Sequence, residues 1–301
     1  MNFATFAFIV MTVFWGMTFP LIRVAVQTVS PSQFVFYRFG IALLLMVPVI
    51  IFKLRKATIP RGFGQLVIVG LILGVINWVS LQSQTIGLQY VESGRAAFLT
   101  GTYVVLVPFL SYLFGLGSAK PIDYFAALGA LCGLFIFADP STQGFCEGDL
   151  WILLCAFMYA VYIVVLQKWV TNDADPTMLA FFQLVGLFAG SGACVLVRSE
   201  TFVPLNLAAL AGILFCGIFA TIGTTWIQAR YQRETTPERV ALIFSLEPVF
   251  AAAFGYLMLG EQLSLRAMLG CAVILGSIAS AEYLKNAQSK AGHSLQQSQT
   301  Q

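Results

Sequence analysis

Glu247, followed directly by Pro248, is a carboxylate set inside an apolar stretch that runs from Thr235 to Glu261. At a helical rise of about 1.5 Å per residue it lies roughly 13 Å beyond Glu238 and roughly 21 Å short of Glu261, inside a hydrocarbon core about 30 Å thick. An acid at that depth costs about 2.5 to 3.5 kcal/mol on insertion scales, so it must face a bundle interior, a partner or a water-filled cavity. A carboxylate whose access to water alternates can take up and release a proton, which is the chemistry of ion coupling or gating. The alternative is structural: Glu247 holds a hydrogen bond across the bundle beside the turn that Pro248 loosens.

Two further stretches carry polar side chains at helical spacing. Asn77, Ser80 and Gln84 fall on one helix face, as do Thr221, Thr224, Thr225 and Gln228. An offset of 144 residues lays Asn77 over Thr221, Ser80 over Thr224 and Gln84 over Gln228. Facing lipid, these amides and hydroxyls would go unpaired, so they line a cavity or hydrogen-bond between helices. Trp15, Tyr103 and Tyr159 lie deep in apolar runs, where their polar atoms need partners, and are candidate substrate contacts or packing residues. Arg38, Arg95 and Arg239 stand within two turns of a predicted helix start. They either snorkel to the interface or serve as gating or anion contacts.

The elements that must position these residues are membrane helices. Of the 301 residues 59% are hydrophobic and 10% charged, far too little charge to coat a water-facing surface. Apolar runs cover about residues 3–22, 33–52, 64–87, 94–116, 121–138, 149–169, 177–197, 205–229, 238–259 and 265–284, each near the length a bilayer helix needs. The fold class is therefore an all-α integral membrane protein of ten transmembrane helices, expected to contact a lipid bilayer. With the N-terminus cytoplasmic, eleven Lys and Arg fall on the cytoplasmic side and five outside, which places both termini in the cytoplasm. The small net charge of +3 is dispersed and gives no nucleic-acid footprint. Cys132, Cys155, Cys194, Cys216 and Cys271 sit in apolar runs and read as packing residues, Cys146 lies in a loop, and the sole His293 is in the polar tail. No metal site or cofactor is spelled out, and an intramembrane enzyme lacks its parts.

The offset of 144 extends beyond the stripes. Arg95-Ala96-Ala97 lies over Arg239-Val240-Ala241, Trp15 over Tyr159, and Pro31, Gly117 and Gly133 recur within a residue of the same spacing. One repeat spans five helices, and an odd number sends the second copy into the membrane from the opposite side. The predicted organisation is a first repeat at 1–140, a second, inverted one at 141–284, and a disordered cytoplasmic tail at 285–301. Glu247 falls over Tyr103, so the carboxylate is an asymmetry between matched halves.

Short motifs in a set order carry a resemblance. They are Phe14-Trp15-Gly16-Met17-Thr18-Phe19-Pro20, Tyr37-Arg38-Phe39, Gly94-Arg95-Ala96-Ala97-Phe98-Leu99-Thr100-Gly101, Tyr103-Val104-Val105-Leu106-Val107-Pro108, Ser245-Leu246-Glu247-Pro248-Val249-Phe250 and Leu259-Gly260-Glu261. From about residue 5 to 284 the chain resembles the drug/metabolite transporter superfamily, in particular its ten-helix EamA-type permeases. It departs from them where the fourth helix ends in Gly117-Ser118-Ala119 rather than the Gly-Glu of many relatives. The resemblance implies metabolite transport, often export, across the inner membrane through a cavity lined by both halves. The expectation is a secondary transporter for a small polar, zwitterionic or amphipathic metabolite, acting as monomer or homodimer with protons as the candidate coupling ion. Spans 1, 3, 4, 6, 8 and 9 should line its cavity and spans 2, 5, 7 and 10 serve as scaffold. A passive channel or accessory subunit is the alternative.

Overall fold

The computed structural model describes residues 3–56, 62–117, 120–138, 145–169, 174–262 and 264–299, and they form helices with no strand among them. Eight helical segments among the described residues are long and apolar enough to cross a membrane. The first three are α1 (Phe3–Ala25), α2 (Pro31–Lys56) and α3 (Phe63–Gly87). A fourth, broken segment joins α4 (Ser93–Gly101) to α5 (Tyr103–Leu113). Next come α6 (Pro121–Ala138), α7 (Glu147–Trp169) and α8 (Pro176–Val197). The following segment comprises α9 (Leu207–Gly217), a π-helical turn (Ile218–Gly223) and α10 (Thr224–Tyr231). A second broken segment joins α11 (Pro237–Phe244) to α12 (Glu247–Leu259), and α13 (Leu265–Gln299) ends the chain. The predicted runs at 121–138 and 265–284 correspond to α6 and α13, whose apolar parts, Pro121–Ile136 and Leu265–Ala281, are shorter than the other segments.

Local chemistry sets the helix boundaries. Asp175 caps α8 by accepting the Thr177 and Met178 amides at 2.9 and 3.1 Å, with Pro176 pre-set for the first turn. Asn206 and Thr236 cap α9 and α11 in the same manner. The breaks in the fourth and ninth predicted spans fall at Thr102 and at Ser245-Leu246, positions that the 144-residue offset superposes to within a residue. At each, a hydroxyl folds back three residues, Thr102 onto the Leu99 carbonyl and Ser245 onto that of Leu242, both at 2.6 Å. Pro248 adds to the second break because it has no N–H to give the preceding turn.

Buried apolar residues fall into two clusters. One gathers Ala4, Phe8 and Met11 of α1 with Val104 and Val107 of α5, Ile163 to Leu166 of α7 and Val240 to Phe244 of α11. The other joins Phe19, Ile22 and Ala25 of α1 with Leu88, Ala96 and Ala97 around the start of α4, Ile152 of α7 and Ala251 of α12. Close helix crossings depend on missing side chains. A Cβ on Gly16 would sit 2.5 Å from the Phe250 Cβ and 2.8 Å from the Ala251 nitrogen, so α1 and α12 meet backbone to backbone. A pair at the periphery, α6 and α13, packs chiefly on itself.

The last helix continues to Gln299, past the 284 at which the sequence predicts the span to end and the disordered tail to begin. Residues 285–299 contain no proline and are rich in Ala, Gln, Lys and Ser, and a helix already nucleated propagates through such residues at little cost. Lys53, at the end of α2, meets the Asp175 carboxylate at 2.5 Å. Burial pushes the Asp175 carboxyl up, but the Lys53 ammonium and the two amides outweigh it and hold it below the usual carboxylate range. A carboxyl depressed in the folded state stabilises the fold above its unfolded value of about 3.9 and loses that contribution as pH falls through its folded value. Lys53→Met should therefore unfold more readily than the parent near neutrality and converge with it under acid, as read by thermal unfolding in detergent. The effect is about 1 kcal/mol or less because both side chains are partly exposed.

Candidate functional site

Residues from both halves of the chain line one cavity. From the first half come Trp15 and Thr18 of α1, Arg38 of α2, Asn77, Ser80, Leu81 and Gln84 of α3, and Thr100 of α4. From the second half come Cys155, Tyr159 and Tyr162 of α7, Ala220, Thr221, Thr224, Thr225 and Gln228 in and after the π-helical turn, and Glu247 at the head of α12. The cavity volume is about 40 Å³, room for a few waters.

Residues of both polar stripes belong to its lining. Ser80 donates to the Cys155 carbonyl at 3.1 Å, while Tyr159 donates to Gln228 Oε1 at 3.2 Å and Gln228 donates on to Gln232 at 2.8 Å. Tyr162 donates to Gln183 of α8 at 2.8 Å. Trp15 stands edge-on to Tyr159 with ring centres 5.7 Å apart. Asn77 Oδ1 is buried with no hydrogen-bond partner among the described residues.

Arg38 departs from the snorkelling alternative. It is 2% exposed, and its Nε donates to Thr221 Oγ1 at 2.8 Å and its Nη2 to the Ala220 carbonyl at 3.1 Å. The physical reason is depth: seven residues past Pro31 put it about 10 Å along the helix axis, beside the polar turn of another span rather than at an interface. Span 2 therefore contributes to the cavity, contrary to its predicted scaffold role, whereas α6 and α13 contribute nothing to the lining. The π-helical turn supplies the anchor. Ala220's carbonyl accepts from Trp15 Nε1 at 3.4 Å, Arg38 Nη2 at 3.1 Å and Thr224 Oγ1 at 2.9 Å, a gathering that π turns permit by displacing carbonyls from the regular ladder.

Glu247 is 6% exposed and opens α12, where the helix N-terminus favours negative charge. Its carboxylate and the Arg38 guanidinium belong to the same cavity lining, and neither is in an ion pair among the described residues.

Three predicted residues lie elsewhere. Tyr103 is fully buried behind Tyr159, ring centres 5.3 Å apart, and does not reach the lining. The break at Thr102 restarts the helix at Tyr103, so the face presented by α4 does not continue through it. Arg95 holds Asp149 by two hydrogen bonds, Nε to Oδ1 at 2.7 Å and Nη2 to Oδ2 at 2.6 Å, and neither snorkels nor lines the cavity. Arg239 lies outside the lining, with Nη2 3.5 Å from Thr5 Oγ1. Thr18, Tyr162 and Cys155, the last expected from the sequence to be a packing residue, also line the cavity, three or four residues from Trp15 and Tyr159. Extending those helix faces by one turn would have found them.

A polytopic helical membrane protein with a polar chamber between its halves is the class that fold and cavity define. The sequence profile of the EamA-like transporter family matches residues 2–138 and 147–281, and the chain belongs to that family. It is 31% identical over 261 residues to an uncharacterized transporter of Archaeoglobus fulgidus, covering 87% of this chain and 80% of the relative. It is 25% identical over 278 residues to the uncharacterized transporter YoaV of Bacillus subtilis, covering 87% and 91%. A solved crystal structure superposes with a TM-score of 0.76 at 18% identity, covering 95% of this chain and 98% of the other, a likeness of fold alone.

Proposed function

We propose that this transporter is a secondary carrier that exports a small zwitterionic or amphipathic polar metabolite across the inner membrane by alternating access of the mid-span cavity. The observation that carries the reading is the presence in one cavity of a guanidinium, Arg38, and a carboxylate, Glu247, neither in an ion pair among the described residues. Buried charges without counter-charges are costly, and a solute bearing both signs relieves both at once. Its anionic end would meet Arg38 and its cationic end Glu247. Asn77, with its unpaired Oδ1, and Thr100 add polar contacts, and Trp15 and Tyr159 an aromatic wall. A cavity with room for only a few waters favours a carrier over a continuously open pore.

Ten crossings arranged as two inverted five-helix repeats, at 1–140 and 141–284, fit this mechanism. Support comes from the superposed helix breaks and from the near-equal lengths of the two segments that the family profile matches. Both termini are cytoplasmic in this reading, and the assembly is a monomer or homodimer. Candidate solutes come from comparing metabolites inside and outside cells with and without the protein. In proteoliposomes their flux should saturate and accelerate with counter-substrate; linear flux without exchange would sink the reading. Glu247 is the proposed proton carrier. Glu247→Gln keeps the shape and removes the titratable proton, so the parent's pH dependence of transport between about pH 5 and 8 should flatten in the variant. An unchanged profile would leave Glu247 a structural role.

A further inference from the structure

We infer that two ion pairs, Arg95–Asp149 and Arg23–Glu261, form a latch that holds one mouth of the cavity shut, and that this mouth opens only when both separate. The inference rests on the carrier reading above and adds the residues that set which way the cavity opens. Each pair joins the two halves of the chain. Arg95 is in the first turn of α4 and Asp149 in that of α7, while Arg23 is in the last turn of α1 and Glu261 lies just past α12. All four belong to the end of the bundle where Ile22, Ala25, Ala96, Ala97 and Ile152 cluster.

The geometry is that of a made fastening. Asp149 is 1% exposed and, besides its two bonds from Arg95, accepts the Cys146 amide at 2.8 Å. Bidentate guanidinium–carboxylate pairs of this kind are stronger and more directional than single contacts. Arg23 Nη1 and Glu261 Oε1 are 2.5 Å apart, so the end of α1 is tied to the residue that follows α12 and its cap.

The opposite end carries the same plan with different chemistry. The offset of 144 places Arg239 under Arg95 and Thr5 under Asp149, and Arg239 Nη2 indeed faces Thr5 Oγ1 at 3.5 Å. The position of the contact is repeated, but a hydroxyl stands where the latch has a carboxylate. Glu261 falls over Gly117, and the nearby Lys168 ammonium donates to the Phe114 carbonyl at 2.9 Å. Gly16 falls over Ala160. Counterpart positions at the two ends thus carry different residue types, and on the latch reading that difference biases which mouth is closed at rest.

The test reads access to the cavity and needs no substrate. Cys155 is kept as the only cysteine, with Thr225→Cys in a cysteine-free background as a second reporter, and a membrane-impermeant methanethiosulfonate is applied to right-side-out and to inside-out vesicles. The parent should react at least 10-fold faster from one face. Asp149→Asn with Glu261→Gln should raise the slow-face rate about 10-fold, and exchanging the charges, Arg95→Asp with Asp149→Arg, should restore slow reaction. Thr5→Asp, which places a carboxylate at the counterpart of Asp149, should slow reaction from the fast face. Equal rates from both faces in the parent would overturn alternating access and the latch with it. A one-sided parent whose slow-face rate the double neutral variant does not change, at either reporter and with an unaltered elution profile, would overturn the latch alone.

Discussion

Arg38→Met is expected to abolish most transport while leaving the protein as stable as the parent or more so. The two effects separate because the guanidinium is buried without a carboxylate among the described residues. Removing an uncompensated buried charge relieves desolvation, and replacing buried ionic groups with apolar ones of similar volume is often neutral or stabilising. The partners it leaves behind keep other bonds: Thr221 Oγ1 still donates to the Cys216 carbonyl at 2.7 Å, and Ala220 still accepts from Trp15 and Thr224. What disappears is the cavity's cation. A charge-assisted hydrogen bond contributes about 1.5 to 3 kcal/mol, so apparent affinity for a solute with an anionic group should fall roughly 10- to 100-fold. Arg38→Lys keeps the charge but loses the planar fork and should fall between. Counterflow in proteoliposomes beside thermal unfolding in detergent reads both axes. Wild-type transport by Arg38→Met would reduce Arg38 to an interhelical tie.

Gly74→Leu should have the opposite signature, losing stability and transport together. A Cβ at Gly74 would lie 2.3 Å from the Gln183 carbonyl oxygen and 2.9 Å from the Gly186 Cα, and backbone atoms cannot rotate aside. The helices α3 and α8 must separate, and overpacking of this kind costs about 1 to 3 kcal/mol or more. Separation also moves Asn77, Ser80 and Gln84, all on α3, and Gln183, which holds the Tyr162 hydroxyl. Gly74→Ala should lower the unfolding midpoint measurably, and Gly74→Leu should fail to accumulate in membranes. Gly64→Ala is the control, since nothing lies within 4 Å of its would-be Cβ.

These residues differ in how plainly they can be read from the chain. Helical periodicity exposes the stripes of Asn77, Ser80, Gln84 and Thr221, Thr224, Gln228, because polar groups inside an apolar run must share a face or go unsatisfied. A different cue, depth in an apolar run, picks out Trp15 and Tyr159. It misjudges Tyr103, because the Thr102 break depends on a hydroxyl folding onto the Leu99 carbonyl and no proline marks it. Arg38 is opaque for another reason: a lone arginine two turns into a helix reads equally well as an interfacial anchor. Only the tertiary approach of Thr221 and the Ala220 carbonyl, more than 180 residues away in sequence, decides its place. Arg95 and Asp149 are likewise individually unremarkable helix-end charges until the fold joins them.

The convergence of three side chains on the Ala220 carbonyl has a consequence for how this protein tolerates change. The acceptor belongs to the main chain, so alanine scanning passes over the junction without touching it, and position 220 looks like filler in any catalogue of side chains. Its location depends on the count of residues in the π-helical turn. Losing one residue between Ile218 and Gly223 would rotate the acceptor away from α1 and α2 while deleting no functional side chain. Substitutions there should be forgiven and length changes should not, so the turn is a ruler written in the backbone, legible to insertions and deletions rather than to point mutation.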